Sequence, residues 1–304
     1  MRSSGTLMCL GSGAAFGAMA IFGKLAYDEG ATVGTLLAVR FGLGAVLFWA
    51  LVLASGFVSQ VRVLPRRDIG LGLALGACGY ALQAGCFFAA LEHIDASLLS
   101  LLVYTYPAIV AAAAVALGGE RLDPRKLTAL LLASGGLVLV LLGAGTGALD
   151  PIGVALGLGA AVVYTTYILV GEGVAGRTLP TVLSALVCTG ATITLTAGSA
   201  LIGEFRPGDL TPAGWGWLAC LAVVSTVGAV SLFFAGLARV GATTASILST
   251  VEPVVTVLFA YLVFGEVLSA VQVLGGVLVL GAVLVLNARM AGRVPSEARQ
   301  GATA

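Results

Sequence analysis

The segment Gly11-Ser-Gly-Ala-Ala15 returns as Gly157-Leu-Gly-Ala-Ala161, an offset of 146 residues (157 − 11). At the same offset Phe87-Phe88-Ala89 matches Phe233-Phe234-Ala235, and Gly119-Glu120 matches Gly265-Glu266. Two single residues keep the same register, since Pro107 matches Pro253 and Gly135 matches Gly281. An ungapped match of this length predicts two homologous halves, residues 1–145 and 150–289, followed by a polar cytoplasmic tail over 290–304.

The composition indicates a protein whose solvent is the lipid bilayer. Of the 304 residues, 59% are hydrophobic and 10% are charged, whereas an ordinary soluble domain is about 25% charged. The mean hydropathy is +1.09, and a soluble chain this apolar could not cover itself with polar surface. The net charge of +1 does not indicate a basic surface that could bind nucleic acid, so we expect no nucleic-acid partner.

The apolar runs predict an all-α integral membrane protein with ten transmembrane helices. A hydrocarbon core of about 30 Å requires about 20 apolar residues per helix. Short polar breaks separate the runs and leave no room for a soluble domain. The predicted spans are 6–27, 34–55, 69–91, 96–118, 127–145, 152–171, 181–202, 214–238, 243–264 and 268–288.

The distribution of basic residues predicts the orientation in the plasma (inner) membrane. Cytoplasmic segments carry an excess of Lys and Arg. With both termini in the cytoplasm, the outer side would keep only Lys24 and Arg206, and Arg40 would lie inside the second helix. The cytoplasmic side would then hold the other 12 of the 15 basic residues, which are Arg2, Arg62, Arg66, Arg67, Arg121, Arg125, Lys126, Arg177, Arg239, Arg289, Arg293 and Arg299.

The odd number of helices in each half predicts that the second half is inserted upside down. Inverted-topology repeats place a substrate site near the midplane, between the halves, and allow alternating access. The paired residues Glu120 and Glu266 would then lie on opposite sides of the membrane. We expect each carboxylate to lie near the positive end of a helix, with a direct part in transport as the alternative.

Several short motifs resemble the drug/metabolite transporter superfamily, and within it the EamA-like permeases with two EamA repeats. They are Ala38-Val39-Arg40-Phe41 in the second helix, Glu252-Pro253 in the ninth and Phe264-Gly265-Glu266 at its end. The resemblance covers about residues 6–288. It implies two five-helix repeats around a central cavity and an export role for amino acids or other metabolites. The first half has Tyr106-Pro107 where the second has Glu252-Pro253, so only one half carries this carboxylate.

Glu252 and Arg40 are the ionisable residues most expected to act in transport. Ionisable groups inside a membrane are costly and are functional by default. Glu252 could carry a proton, or it could equally bond a neighbouring helix as structural support. Pro253 and Pro107 could break their helices and release backbone carbonyls. Arg40 could bind a substrate carboxylate, or it could snorkel outward or pair with an acidic residue. For Lys24, near the outer end of helix one, snorkelling is the expected behaviour.

Tyrosine and amide side chains within the predicted spans are a weaker indication of residues that contact the substrate. Tyr164 and Tyr167 are three residues apart and share a helix face, which could line a cavity. For each of these residues, ordinary packing is the alternative to substrate contact. The residues concerned are Gln83, Tyr80, Tyr104, Tyr106, Tyr164 and Tyr167.

The remaining motifs argue against other chemistries. The five cysteines lie in apolar runs without paired spacing, and the sole histidine, His93, lies in a short loop, so we expect neither a metal site nor a disulfide. Residues 17–25 do not match a phosphate-binding loop, and no cofactor is expected. Gly13 with Gly17, and Gly72 with Gly76, have the spacing of close helix contacts.

The leading hypothesis is therefore a secondary transporter of small-molecule metabolites, driven by protons or by the substrate gradient alone. An intramembrane enzyme that acts on lipid, a channel and a multidrug efflux permease are the alternatives. The sequence does not identify the oligomeric state.

Overall fold

The computed structural model describes residues 2–116, 124–143, 150–175, 177–240 and 248–287. Glu120 and the predicted tail over 290–304 lie outside these ranges. Within them the chain is helical and contains no strand. We label the longer helices in chain order, with α1 formed by Arg2–Gly17 and Met19–Asp28, α2 by Val33–Ala54, α3 by Arg66–Ala74, Leu75–Tyr80 and Ala81–Ala90, α4 by Ala96–Val103 and Tyr106–Ala116, α5 by Pro124–Gly143, α6 by Pro151–Ala175, α7 by Pro180–Leu201, α8 by Pro212–Ala222, Val223–Gly228 and Ala229–Val240, α9 by Val251–Phe264 and α10 by Ala270–Asn287.

Length and composition make the helices suited to a bilayer. In the described ranges six stretches are long and apolar enough to cross a membrane, namely those in α1, α2, α3, α6, α7 and α8. The apolar stretches of the other four helices are shorter, at 10–17 residues, so ten crossings remain a prediction. Large apolar side chains such as Leu201, which is 87% exposed, point away from the bundle, as expected of a surface covered by lipid.

Glycine allows the helices to approach closely at Gly17 and Gly76, as the sequence indicated, and also at Gly190. A Cβ atom at Gly76 would overlap the Val187 carbonyl of α7, and one at Gly190 would overlap the Leu73 carbonyl of α3. On α1, a Cβ at Gly17 would come within 2.8 Å of the Glu252 carbonyl oxygen. Contacts this short form only between helices that meet through glycine. The α1–α9 contact therefore fixes the backbone of Glu252.

The repeat is visible in irregular positions of the backbone as well as in the sequence. The helix α4 is interrupted at Tyr104 and Thr105, and α9 begins after a turn at Thr250, which is the residue 146 positions after Tyr104. Wide π-helical turns occur in α3 at Leu75–Tyr80 and in α8 at Val223–Gly228, and these overlap when shifted by 146. Such turns are frequent at functional sites.

The two ends of the bundle differ in charge. At one end, here called the acidic face, the connections carry Asp28, Glu29, Glu92, Asp95, Asp150, Glu204, Asp209 and Glu266. These connections contact one another, since His93 bonds Asp150 and Thr211 bonds Glu29. At the opposite end, here called the basic face, the described residues include Arg62, Arg66, Arg67, Arg177 and Arg239.

Candidate functional site

Five tyrosines form a continuous line of rings inside the bundle. Ring centroids lie 5.6 Å apart for Tyr80 and Tyr167, and 6.2 Å for Tyr167 and Tyr164. The line continues from Tyr164 to Tyr106 at 4.7 Å and from Tyr106 to Tyr104 at 5.9 Å. The rings belong to α3, α4 and α6, so both halves of the chain contribute.

Glu252 lies at one end of the tyrosine line. The Tyr104 hydroxyl lies 3.1 Å from Glu252 Oε2 and 2.7 Å from the Ser249 carbonyl oxygen, and it can donate to either acceptor. Pro253 has no N–H to donate to the carbonyl four residues earlier, which is that of Ser249. The proline thus makes available the carbonyl that Tyr104 reaches. Among the described residues, no basic side chain forms an ion pair with Glu252.

Arg40 lies at the other end of the line and is only 1% exposed. Its Nε donates to Thr226 Oγ1 over 3.0 Å, and its guanidinium stacks over Phe41 and Phe88 at 5.0 and 5.2 Å from the ring centroids. The hydroxyl of Tyr80 lies beside the same guanidinium. Burial excludes snorkelling of Arg40, and none of the ion pairs in the described ranges includes it.

The two π-helical turns position the surroundings of Arg40. Tyr80 ends the turn in α3 and Thr226 lies in the turn in α8, so Arg40 lies between equivalent features of the two halves. The Thr226 hydroxyl donates to the Leu221 carbonyl five residues earlier, which leaves its oxygen to accept from Arg40. Gln83 is buried one turn after Tyr80 on α3.

Glu266 lies at a helix N-terminus, but at that of α4 in the other half rather than at that of α10, which follows it. Its carboxylate accepts from the Ala96 and Ser97 amides at 3.2 and 3.0 Å and from the Ser97 hydroxyl at 2.8 Å. Lys24 Nζ donates to Glu266 Oε1 over 2.8 Å instead of extending freely outward. Burial opposes ionisation of Glu266, but the hydrogen bonds from Lys24 and Ser97 outweigh it and lower its pKa.

A second ionic contact on the acidic face joins the connection after α3 to the one before α6. His93 Nδ1 lies 2.7 Å from Asp150 Oδ2, and Asp150 Oδ1 accepts from the Ile152 amide. The hydrogen bond from His93 and the one from Ile152 lower the pKa of Asp150. His93 is thus an exposed loop residue that also joins two connections of the acidic face.

The sequence did not single out Thr226, Ser249 or Ser97 as parts of these contacts. Each lies more than 140 residues from its partner, and a hydroxyl in an apolar helix gives no local signal. The repeat gives one indication, because Ser249 and Thr226 are the equivalents of Val103 and Tyr80 at the offset of 146 residues. Within the described ranges, no group of three His, Cys, Asp or Glu residues could hold a metal ion.

Comparison with known proteins identifies the family. The profile of the EamA-like transporter family matches residues 3–142 and again residues 151–288. The protein named "Uncharacterized transporter YcbK" of Bacillus subtilis (strain 168) is 28% identical over 280 residues, which is 89% of this chain and 88% of that protein. A protein crystal structure superposes with a TM-score of 0.67 at 20% identity, covering 95% of this chain and 99% of the other. That likeness shows the fold alone, whereas the profile match over two repeats shows that this chain belongs to the EamA-like transporter family and is a multi-pass membrane transporter rather than an enzyme.

Proposed function

We propose that this protein is a secondary transporter that exports small metabolites such as amino acids across the plasma membrane by alternating access. The observation that carries the proposal is the line of side chains that runs from the buried Arg40 through five tyrosines to the half-buried Glu252. The line is built from both halves, and proteins with inverted repeats hold their substrate between the halves. Family membership supports transport as such, and the chemistry of the line supports the substrate class.

The two ends of the line offer partners for a carboxylate and for an ammonium group. An arginine guanidinium binds carboxylates through two parallel hydrogen bonds, and Arg40 pairs with no described acidic side chain. A carboxylate binds an ammonium group, and Glu252 accepts a hydrogen bond from Tyr104. Tyrosine rings between the ends offer apolar surface together with hydroxyl groups, which suits an amphipathic substrate.

We assign proton coupling to Glu252. A carboxylate that exchanges between a proton and a substrate ammonium group can link export of the substrate to entry of a proton. The interruption of α9 next to Glu252 supports this role, because discontinuous helices expose polar backbone to the site. Tyr104, at the matching interruption of α4, supplies the hydrogen bond that holds the carboxylate.

The remaining features of the proposal are ten crossings, an inverted second half and cytoplasmic termini. The charge difference between the acidic and basic faces supports this orientation, since the basic end is expected in the cytoplasm. The equivalent interruptions in α4 and α9 support the inverted repeat.

A multidrug efflux permease is a second candidate, which the aromatic rings favour. Flat rings at 4.7–6.2 Å spacing can bind a planar organic cation by stacking and cation–π contact. Arg40 would oppose such a cation, whereas it would favour a carboxylate. The amino-acid hypothesis therefore accounts for more of the site.

The test compares the extracellular metabolites of cells that produce the wild type with those of cells producing Glu252→Gln or Glu29→Gln at equal membrane abundance. Glu29 is the matched control because it is a glutamate on the acidic face, bonded to Thr211. We expect one or more amino acids enriched outside with the wild type and with Glu29→Gln, but not with Glu252→Gln. Equal enrichment with the wild type and both variants would indicate that Glu252 has a structural role only. No enrichment with any of the three proteins would contradict export.

A further inference from the structure

At the acidic face, the start of α2 is bonded to the connection from α7 to α8, a contact here called the first link. The Thr35 hydroxyl donates to the Glu204 carbonyl over 3.1 Å and accepts from the Arg206 amide at 2.7 Å. The Thr32 hydroxyl donates to the same carbonyl of Glu204. A Cβ atom at Gly34 would come within 2.7 Å of Glu204 Cβ. The first link therefore joins the two halves of the chain in direct contact.

A second link joins the halves at the same face. Glu266, in the connection from α9 to α10, accepts from the amides of Ala96 and Ser97 at the N-terminus of α4. Lys24 of α1 donates to the same carboxylate over 2.8 Å. Since α1 and α4 belong to the first half and Glu266 to the second, the acidic face is held closed at two separate places.

The equivalent segments at the basic face are apart. At the offset of 146 residues, Gln60 is the equivalent of Arg206, and Thr181 is the equivalent of Thr35. A cavity of about 420 Å³ lies between their segments, with Gln60 on one wall and Leu179 on the other. Within the described ranges, no hydrogen bond joins Gln60 to Thr181. The first link thus has no counterpart at the basic face.

This difference between equivalent segments indicates one of two alternating states. Inverted repeats exchange their conformations as one half rocks against the other. In the exchanged state, the contacts of the acidic face would open and the walls of the cavity would meet. Arg177 already bonds Asp68 of α3 at the basic face over 3.1 Å, but its side chain is 57% exposed. Such an exposed cation opposes the motion little.

We propose that the first and second links form a gate at the acidic face, and that the cavity at the basic face is the open counterpart, which closes when this gate opens. The gate presupposes the proposed alternating access but no particular substrate. Pro180 is the equivalent of Gly34, so its side chain keeps the basic face at a wider spacing when it closes. With the proposed topology, the structure is the state that is closed to the outside.

Cross-linking of cysteine pairs in membranes tests the gate. In a parent variant that lacks the native cysteines, Glu29→Cys with Thr211→Cys reports on the acidic face, because these two side chains contact each other. Val63→Cys with Leu179→Cys reports on the basic face, because both side chains are exposed and line the cavity. A short bis-methanethiosulfonate reagent joins the cysteines of a pair that lie close together. We expect the acidic pair to react fast and the basic pair slowly.

Glu266→Gln should shift the balance between the two states, because it disrupts the second link. One unpaired amide displaces a two-state equilibrium by about five-fold or more. We therefore expect the basic pair to cross-link about five-fold faster in this variant and the acidic pair to cross-link more slowly. Asp95→Asn is the matched control, because Asp95 lies 3.6 Å from the same Lys24 but is 66% exposed, and it should react as the parent does. All rates are measured below the melting temperature of every variant, so that unfolding does not contribute.

The proposal is overturned if the basic pair cross-links at the same rate with and without Glu266→Gln, or if it cross-links in molecules whose acidic pair is already joined. An acidic pair that does not cross-link in the parent would also contradict a closed acidic face. The outcome is separable from that of the export test. Exclusive cross-linking in a protein that exports no amino acid would leave the gate and remove the substrate class, whereas simultaneous cross-linking in an active exporter would remove the gate alone.

Discussion

Replacing Glu266 by glutamine should weaken the acidic face by a predictable amount. The carboxylate accepts four hydrogen bonds, two at each oxygen, from Lys24, Ala96 and Ser97. An amide has one acceptor oxygen, so its NH2 group must face N–H donors at the other position. The best arrangement turns the Ser97 hydroxyl to accept and still leaves the Ser97 amide unpaired.

The expected cost follows from these contacts. An unpaired buried amide costs about 1–3 kcal/mol, and loss of a negative charge at a helix N-terminus costs about 0.3–1 kcal/mol. The Glu266 side chain is 7% exposed, so solvent screens these contacts little. We expect the free energy of unfolding in mixed micelles to fall by about 1–4 kcal/mol.

Asp95→Asn is the control, because Asp95 lies 3.6 Å from the same Lys24 but is 66% exposed. Exposed pairs contribute about 0–1 kcal/mol, so this variant should stay close to the wild type. The pKa of Glu266 is lowered in the folded protein. Its stabilisation is therefore complete above the unfolded value of about 4.3 and is lost as the pH falls through the lower folded value. A Glu266→Gln variant that matched Asp95→Asn in stability, or that kept the acid dependence of the wild type, would refute the reasoning.

Three further predictions concern packing, the buried cation and topology. Gly76→Ala should strongly lower the melting temperature because its Cβ would overlap a carbonyl of α7. Gly70→Ala should not, because there is open space around Gly70. Equal melting temperatures for the two variants would contradict the close contact between α3 and α7. Arg40→Lys should abolish export at normal abundance, because an ammonium group cannot reproduce the planar, stacked guanidinium, and full export by this variant would remove Arg40 from the site. In a variant lacking native cysteines, Asp209→Cys should react with an impermeant maleimide on intact cells and Arg66→Cys should not, and the reverse pattern would invert the topology.

The sequence predicted the helical segments well because their length and apolar composition are local properties. It also predicted the close contacts through Gly17 and Gly76, since the spacing of small residues is visible in one dimension. The repeat offset related Pro107 to Pro253, and the structure adds an interruption before each proline. The irregular π-helical turns were not foreseen, because they depend on tertiary contacts rather than on residue type.

Partners of the polar side chains were the least predictable part. Glu266 was expected near a helix N-terminus, and it lies at that of α4, which is remote in sequence. The site residues Arg40 and Glu252 were singled out because charge inside an apolar span is conspicuous. Their connection through five tyrosines could not be read from the sequence, since it requires α3, α4 and α6 to meet.

The most direct test of the central claim is transport by purified protein in liposomes, with an amino acid that wild-type cells export. Exchange at equal pH and accumulation driven by a pH gradient are measured for the wild type and for Glu252→Gln. We predict that the wild type does both and that Glu252→Gln retains exchange but no longer responds to the gradient. Gradient-driven accumulation by Glu252→Gln at the wild-type rate would contradict the claim that the carboxylate at the end of the tyrosine line couples protons to substrate.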